Sequence, residues 1–198
     1  AESMLSALLD IARLEGGTIQ PKRQAYSLHD LLNDLELQFK SIAAQRNIQL
    51  SVHDTRFWVD TDPQWMRRII QNFVSNALRY TAQGRVVVGV LRSAQRPNHI
   101  RIGVWDTGPG INEQQRVKLF QEFERCGHTS PWGEQGLGLG LAIVQRMTSL
   151  LDFPVHVYSE LGKGSCFMIE VPLAEAPKIQ ATTSHVTALQ HTAYKVLC

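Results

Sequence analysis

Apolar residues recur at helical spacing in four stretches of the chain, and denser or alternating apolar runs lie between them. Met4, Leu5, Leu8, Leu9, Ile11, Ala12 and Leu14 form the first helical stripe, and Gly16-Gly17 stops it. This stripe has no cap at its start, as expected where a longer helix is cut through. Its heptad-like spacing suits packing on a partner helix or on the chain's own domain. Ser27 with Asp30 has the form of a capping box, and Leu28, Leu31, Leu32, Leu35 and Phe39 predict a helix from Ser27 to about Arg46. Thr61-Asp62-Pro63 supplies a cap and a first-turn proline for a helix reaching about Ala82, with Met66, Ile70, Phe73, Val74 and Ala77 as its core stripe. A short helix near Asn112 to Leu119 and a longer one from Leu139 to Leu151 complete the helical pattern.

Strand signals fill the intervals. Ile48 to Val52 and Phe57 to Val59 read as short strands, and Arg85 to Arg92 pairs with Ile100 to Trp105 across the turn residues Arg96-Pro97-Asn98. Val155 to Tyr158 and Ser165 to Val171 are joined by a turn over Glu160 to Gly164. The order of elements predicts one α/β domain in which a mixed sheet carries helices on one face. Residues 174–193 contain few large apolar side chains and read as a linker.

Composition narrows the function classes. The 198 residues are 43% hydrophobic and 19% charged, enough for a sizeable core, and the formal net charge is +2. So weak a bias argues against a nucleic-acid partner. No apolar run approaches the roughly 18 residues of a membrane span, and no leader pattern opens the chain. Cys126, Cys166 and Cys198 are too scattered for a disulfide framework or a zinc site and fit a reducing cytoplasm. The seven histidines lack ligand spacing.

The candidate chemistry lies on three pieces. On the helix 62–82, Asn72 and Asn76 stand one turn apart at the edge of the core stripe, with Arg68, Arg79 and Tyr80 nearby. Carboxamide oxygens suit Mg²⁺, and arginine suits phosphate, although two such asparagines are also compatible with a solvated helix edge. Asp106-Thr107-Gly108-Pro109-Gly110-Ile111 follows a strand. Its glycines let backbone approach a flat ligand, and Asp106 at the strand end can accept a hydrogen bond from an exocyclic amine such as adenine N6, where guanine offers an acceptor. The plain alternative is an ordinary turn capped by the aspartate. Gly136-Leu137-Gly138-Leu139-Gly140 then runs into a helix and exposes successive amides at its N-terminus, an anion site without dinucleotide or P-loop spacing.

The order of these pieces, with Phe120-Gln121-Glu122-Phe123-Glu124-Arg125 between the second and third, resembles the N, G1, F and G2 boxes of the catalytic ATP-binding domain of sensor histidine kinases. Gly164-Ser165-Cys166-Phe167 resembles that family's closing strand. The resemblance implies a two-layer α/β sandwich, the Bergerat ATP-binding fold, over residues 18–173. Residues 1–17 would be the end of a dimerisation helix, and 194–198 would be the start of a receiver domain or an arbitrary tail. By the same likeness Asn76 would ligate Mg²⁺ at the ATP phosphates with Asn72 in support, and Arg79 and Tyr80 would contact the nucleotide. Asp106 would read the adenine amine in a pocket shaped by Gly108, Gly110 and Ile111, with Ser165 near it. Phe120 and Phe123 would anchor a mobile lid over 126–135, Arg125 would lie near the γ-phosphate, and Gly136, Leu137, Gly138, Leu139 and Gly140 would hold the phosphates.

Gyrase-type relatives place a water-activating glutamate where this chain has Asn72, which cannot act as a base, so phosphoryl transfer is expected over ATP hydrolysis. The resemblance places the acceptor histidine on a dimerisation helix upstream of Ala1; His29, near a helix start, lacks the acceptor's surrounding motif. Expected partners are the protein's own dimerisation and acceptor helices in a homodimer, and a response regulator or fused receiver domain. The expected location is cytoplasmic, with a membrane tether outside this segment compatible. A degenerate module that binds a nucleotide or partner without turnover is the non-enzymatic alternative, and the intact boxes weigh against it.

Overall fold

The longest strand organises the sheet. In the computed structural model, which describes residues 20–121, 130–133 and 138–177, β7 (Gly164–Ala174) pairs antiparallel with three other strands. The described elements run β1 (Gln24–Ser27), α1 (Leu28–Gln45), β2 (Ile48–Val52), β3 (Trp58–Thr61), α2 (Pro63–Tyr80), β4 (Gly84–Arg92), β5 (His99–Asp106), α3 (Glu113–Lys118), α4 (Gly140–Leu151), β6 (Val155–Glu160) and β7. The sheet order is β1-β3-β7-β5-β4-β2, with β6 also on β7. Only β2 and β4 run parallel, so the sheet is mixed, as the sequence predicts.

Helix boundaries follow local chemistry. The Ser27 hydroxyl accepts from the Asp30 amide at the head of α1, and the Asp62 carboxylate accepts from the Gln64 and Trp65 amides ahead of Pro63 in α2. Asn112 and Gln115 form a reciprocal capping box on α3. One face of the sheet supplies Val86, Val88, Ile100, Ile102, Val104, Phe167, Ile169 and Val171 to the core, and Leu31, Leu35, Ile69, Phe73 and Val144 come down from the helices. Phe73 and Phe167 meet at 5.6 Å between ring centroids across this seam.

Two strand expectations are corrected. β1 carries no strand signal, because its four residues lack alternation; it forms by pairing with β3 from Gln24↔Thr61 to Ser27↔Trp58. That pairing also shifts β3 to Trp58–Thr61 from the expected Phe57 to Val59. The N-terminal stripe and the residues from 178 onward lie outside the described residues.

The opposite face of the sheet has its own internal order. The Trp105 ring lies so close over Gly103 that a side-chain carbon there would overlap it. The Cys166 thiol, on the same face, is pushed up to about 12 by burial and by the Asp106 charge, which keeps it unreactive. Glu170 is 3% exposed at its side chain and is bound by Arg101 Nε at 2.7 Å, Ser93 Oγ at 3.1 Å, Arg96 Nε at 3.4 Å and His156 Nε2 at 3.5 Å. Burial pushes its pKa up, but Arg101, Ser93 and His156 outweigh burial and hold the carboxyl below its ordinary value. A carboxyl depressed in the fold stabilises above its unfolded pKa and loses that contribution as pH falls through the lower folded value. Urea titrations should therefore show stability falling on acidification below about pH 4 in the wild type, and a flatter profile in Glu170→Gln. Arg101→Ala, which strands the buried carboxylate, should cost about 3 kcal/mol at neutral pH.

Candidate active site

The loop after β5 lies against the β6–β7 turn and is hydrogen-bonded to it. Gly162 N–H donates to Pro109 O at 2.7 Å, and Ile111 N–H donates to Ser159 Oγ at 2.8 Å. Gly110 sits at φ +72°, and a side-chain carbon there would overlap Glu160 O; at Gly164, with φ +113°, it would overlap Asp106 O. Both positions thus require glycine for conformation and for contact.

This interlock fixes Asp106. Its Oδ1 accepts from Gly108 N at 2.8 Å and Ser165 N at 3.3 Å, leaving Oδ2 for a further donor. Burial raises its pKa, and the two amides offset this only in part. Thr81, fully buried after α2, presents a hydroxyl with no hydrogen-bond partner among the described residues. It stands with Asp106 Oδ1 and Tyr80 O around the Cα of Gly108. A buried hydroxyl without a partner, beside a half-satisfied carboxylate, is the signature of a polar site that a ligand or water completes.

The other end of the cradle is built from α2 and α4. Asn72 Nδ2 donates to Arg68 O at 2.9 Å, which turns Oδ1 toward the head of α4, where it leaves no room for a side chain on Gly140. Asn76 lies one turn on along α2 and is half-buried. Leu139 at the N-cap of α4 is buried and makes no side-chain capping bond, so the first-turn amides of this 12-residue helix remain as donors beside Asn72. Gly138 and Leu139 immediately precede Gly140 at this helix head, while Gly136 and Leu137 lie outside the described residues, as do Phe123 and Arg125.

Two expected contributors have different surroundings. Phe120 packs against the core and lines a separate cleft of about 310 Å³ with Gln145, Thr148, Phe153 and Val155. That places it on the C-terminal half of α4, about two turns from Gly140. Within the segment expected to be a mobile lid, Ser130 Oγ donates to Arg79 O at 3.2 Å, and the Arg46 guanidinium lies 5.5 Å from the centre of the Trp132 ring. Ser130 to Gly133 are thus tied to the C-terminal ends of α1 and α2. Ser159 and Thr81 went unnoticed in the sequence. A serine three residues before a Gly-Lys-Gly turn was the available signal for Ser159, and the position just after Arg79-Tyr80 was that for Thr81.

Residues 61–175 match the profile of the histidine kinase-, DNA gyrase B-, and HSP90-like ATPase family. The chain belongs to it. Within that ATPase family, the autoinducer 2 sensor kinase/phosphatase LuxQ of Vibrio vulnificus is 31% identical over 177 residues, which is 86% of this chain and 21% of that protein. The sensor histidine kinase AruS of Pseudomonas aeruginosa is 33% identical over 198 residues, 95% of this chain and 20% of that protein. A crystal structure of full-length ShkA in complex with AMPPNP superposes with a TM-score of 0.76 at 30% identity, covering 88% of this chain and 36% of that one. The chain spans about a fifth of the length of the curated relatives it matches. It is a catalytic domain of the histidine kinase kind, and its mixed sheet with helices on one face is the fold of those domains. Among the described residues, no helix is long and apolar enough to cross a membrane.

The Gly110–Glu160 contact has a measurable consequence. Gly110→Ala adds about 1–2 kcal/mol of left-handed backbone strain to a main-chain overlap that only loop movement relieves. Its thermal midpoint should fall well below that of Thr107→Ala, measured side by side by circular dichroism.

Proposed function

We propose that the chain binds Mg·ATP across this cradle and transfers the γ-phosphoryl group to a histidine carried on a dimerisation helix. The observation that supports it best is the pairing of ends: a half-buried carboxylate with a free oxygen at the strand end, and a carboxamide against an uncapped helix head at the other. The first suits a purine amine and the second suits phosphates and their counter-ion.

Among the described residues no group of three His, Cys, Asp or Glu side chains could hold a metal alone. A Mg²⁺ ion therefore fits as one held by an Asn76 carboxamide oxygen, supported by Asn72, and by the nucleotide's own phosphates. When bound, it supplies neutralisation of phosphate charge. The protein groups do the rest by position. Asp106 accepts the base amine, Gly108, Gly110 and Ile111 shape the wall around it, and the amides at Gly138 to Gly140 receive phosphate oxygens. Arg79 and Tyr80 close the side between base and phosphates. Phosphoryl transfer needs little beyond such alignment and charge balance. Asn72 lacks the basicity to activate water, which favours transfer over hydrolysis. The partners follow from the same reading: the protein's own acceptor helices in a homodimer, and a receiver domain that takes the phosphoryl group onward.

Isothermal calorimetry tests the binding step. Asn76→Ala should abolish measurable Mg·ATP binding while leaving the fold intact, and unchanged affinity would remove its metal role. Because Oδ1 already accepts from two amides, protonation would place a donor on Oδ2, where the base amine needs an acceptor; with the pKa of Asp106 raised, affinity should be full above that raised value and fall as pH drops through it. Asp106→Asn should weaken ATP binding at least tenfold and remove this pH dependence. Transfer is read by mixing the chain with a separately made acceptor-helix domain and measuring an acid-labile phosphohistidine; a stable mixture with ATP bound and no label would leave binding without the kinase step.

A further inference from the structure

Three strands end in a single polar rung. The register pairs Asp106 of β5 with Ser165 of β7, and Ser165 with Ser159 of β6, one step beyond the apolar rung Val104, Phe167 and Val157. Directly paired residues share a face of the sheet, and the apolar rung faces the helices, so the polar rung lies on the cradle side.

Ser159 is the hub of this rung. Its Oγ lies 2.8 Å from Ile111 N, 3.0 Å from Gly164 O and 3.0 Å from Ser165 Oγ. A serine hydroxyl has one proton and two lone pairs. Ile111 N–H fills one lone pair. Gly164 O has no proton to give, so it takes the Ser159 proton. The remaining lone pair then accepts the proton of Ser165. This assignment alone satisfies all three partners, and it fixes the direction of the Ser165 hydroxyl.

The fixed direction has a chemical result. With its proton committed to Ser159, Ser165 Oγ offers only lone pairs to any other group. Asp106 likewise offers only Oδ2, since Oδ1 is taken by two amides. We propose that Ser159 is a positioning residue for base selection: by holding the Ser165 proton it makes the Asp106–Ser165 wall of the base end acceptor-only, which favours a purine with an amine at C6 over one with a carbonyl there. The proposal rests on the nucleotide reading of the cradle. It adds a residue that does not touch the ligand.

Competition titrations of the full chain with Mg·ATP and Mg·GTP test it, with thermal midpoints recorded for every variant. Ser159→Ala frees the Ser165 hydroxyl to turn and donate to a C6 carbonyl, so the ATP-over-GTP affinity ratio should fall about three- to tenfold. Ser159→Thr keeps the hydroxyl and should keep the ratio. Ser165→Ala removes the fixed lone pairs and should lower the ratio by itself, and adding Ser159→Ala to it should change the ratio no further. A role confined to stability would lower both affinities together and leave the ratio unchanged, which would overturn the proposal. So would an unchanged ratio in Ser165→Ala, or an equal further drop in the double variant. A wild-type chain that binds neither nucleotide would overturn the nucleotide reading along with it.

Discussion

The close approach of the Asp106–Ile111 loop to the β6–β7 turn is the constraint on which the base end of the site depends. A main chain can come this near another only where side chains are absent, and Gly110 and Gly164 provide that on either side of the contact. Once the two segments are in register, the Gly108 and Ser165 amides converge on one carboxylate oxygen, and Ser159 is brought within reach of three polar groups at once. Burial works against the Asp106 charge, and the amides make its retention tolerable without fully compensating it. The resulting carboxylate is in want of a donor.

The two ends of the cradle are held by different means. The end proposed for the base rests on main-chain interlock and a polar rung, and the end proposed for the phosphates on a helix pair. At the latter, Asn72 donates an amide proton to its own helix and presses its oxygen against Gly140. The carboxamide therefore acts in two ways, joining α2 to α4 and leaving an oxygen at the helix head. The core seam, where Phe73 meets Phe167, adjoins both ends, since Phe73 follows Asn72 on α2 and Phe167 lies two residues from Ser165 on β7.

Much of this was legible in the sequence because the chemistry fixes residue types locally. Asn72 and Asn76, Asp106 with its glycines, and Gly138 to Gly140 each combine a distinctive type with a short spacing, and helix caps such as Asp62-Pro63 announce their elements. What stayed hidden depends on pairing between distant segments. β1 has no period of its own and becomes a strand only against β3. Ser159 looks like any strand serine until the β6–β7 register sets it beside Ser165. Nor does the sequence announce Glu170, over which Arg101, Arg96 and Ser93 gather from the neighbouring hairpin. Similarly, nothing in the composition of 126–135 announces that Ser130 and Trp132 find partners on two helix ends.

The contact between Asn72 and Gly140 has one more consequence. Because the asparagine edge of α2 and the head of α4 are in contact, the groups proposed to receive a triphosphate are held in place and would lose little freedom when it arrives. Enlarging Gly140 by a single methyl would wedge the two helices apart, converting a rigid corner into one that must be reassembled at each encounter.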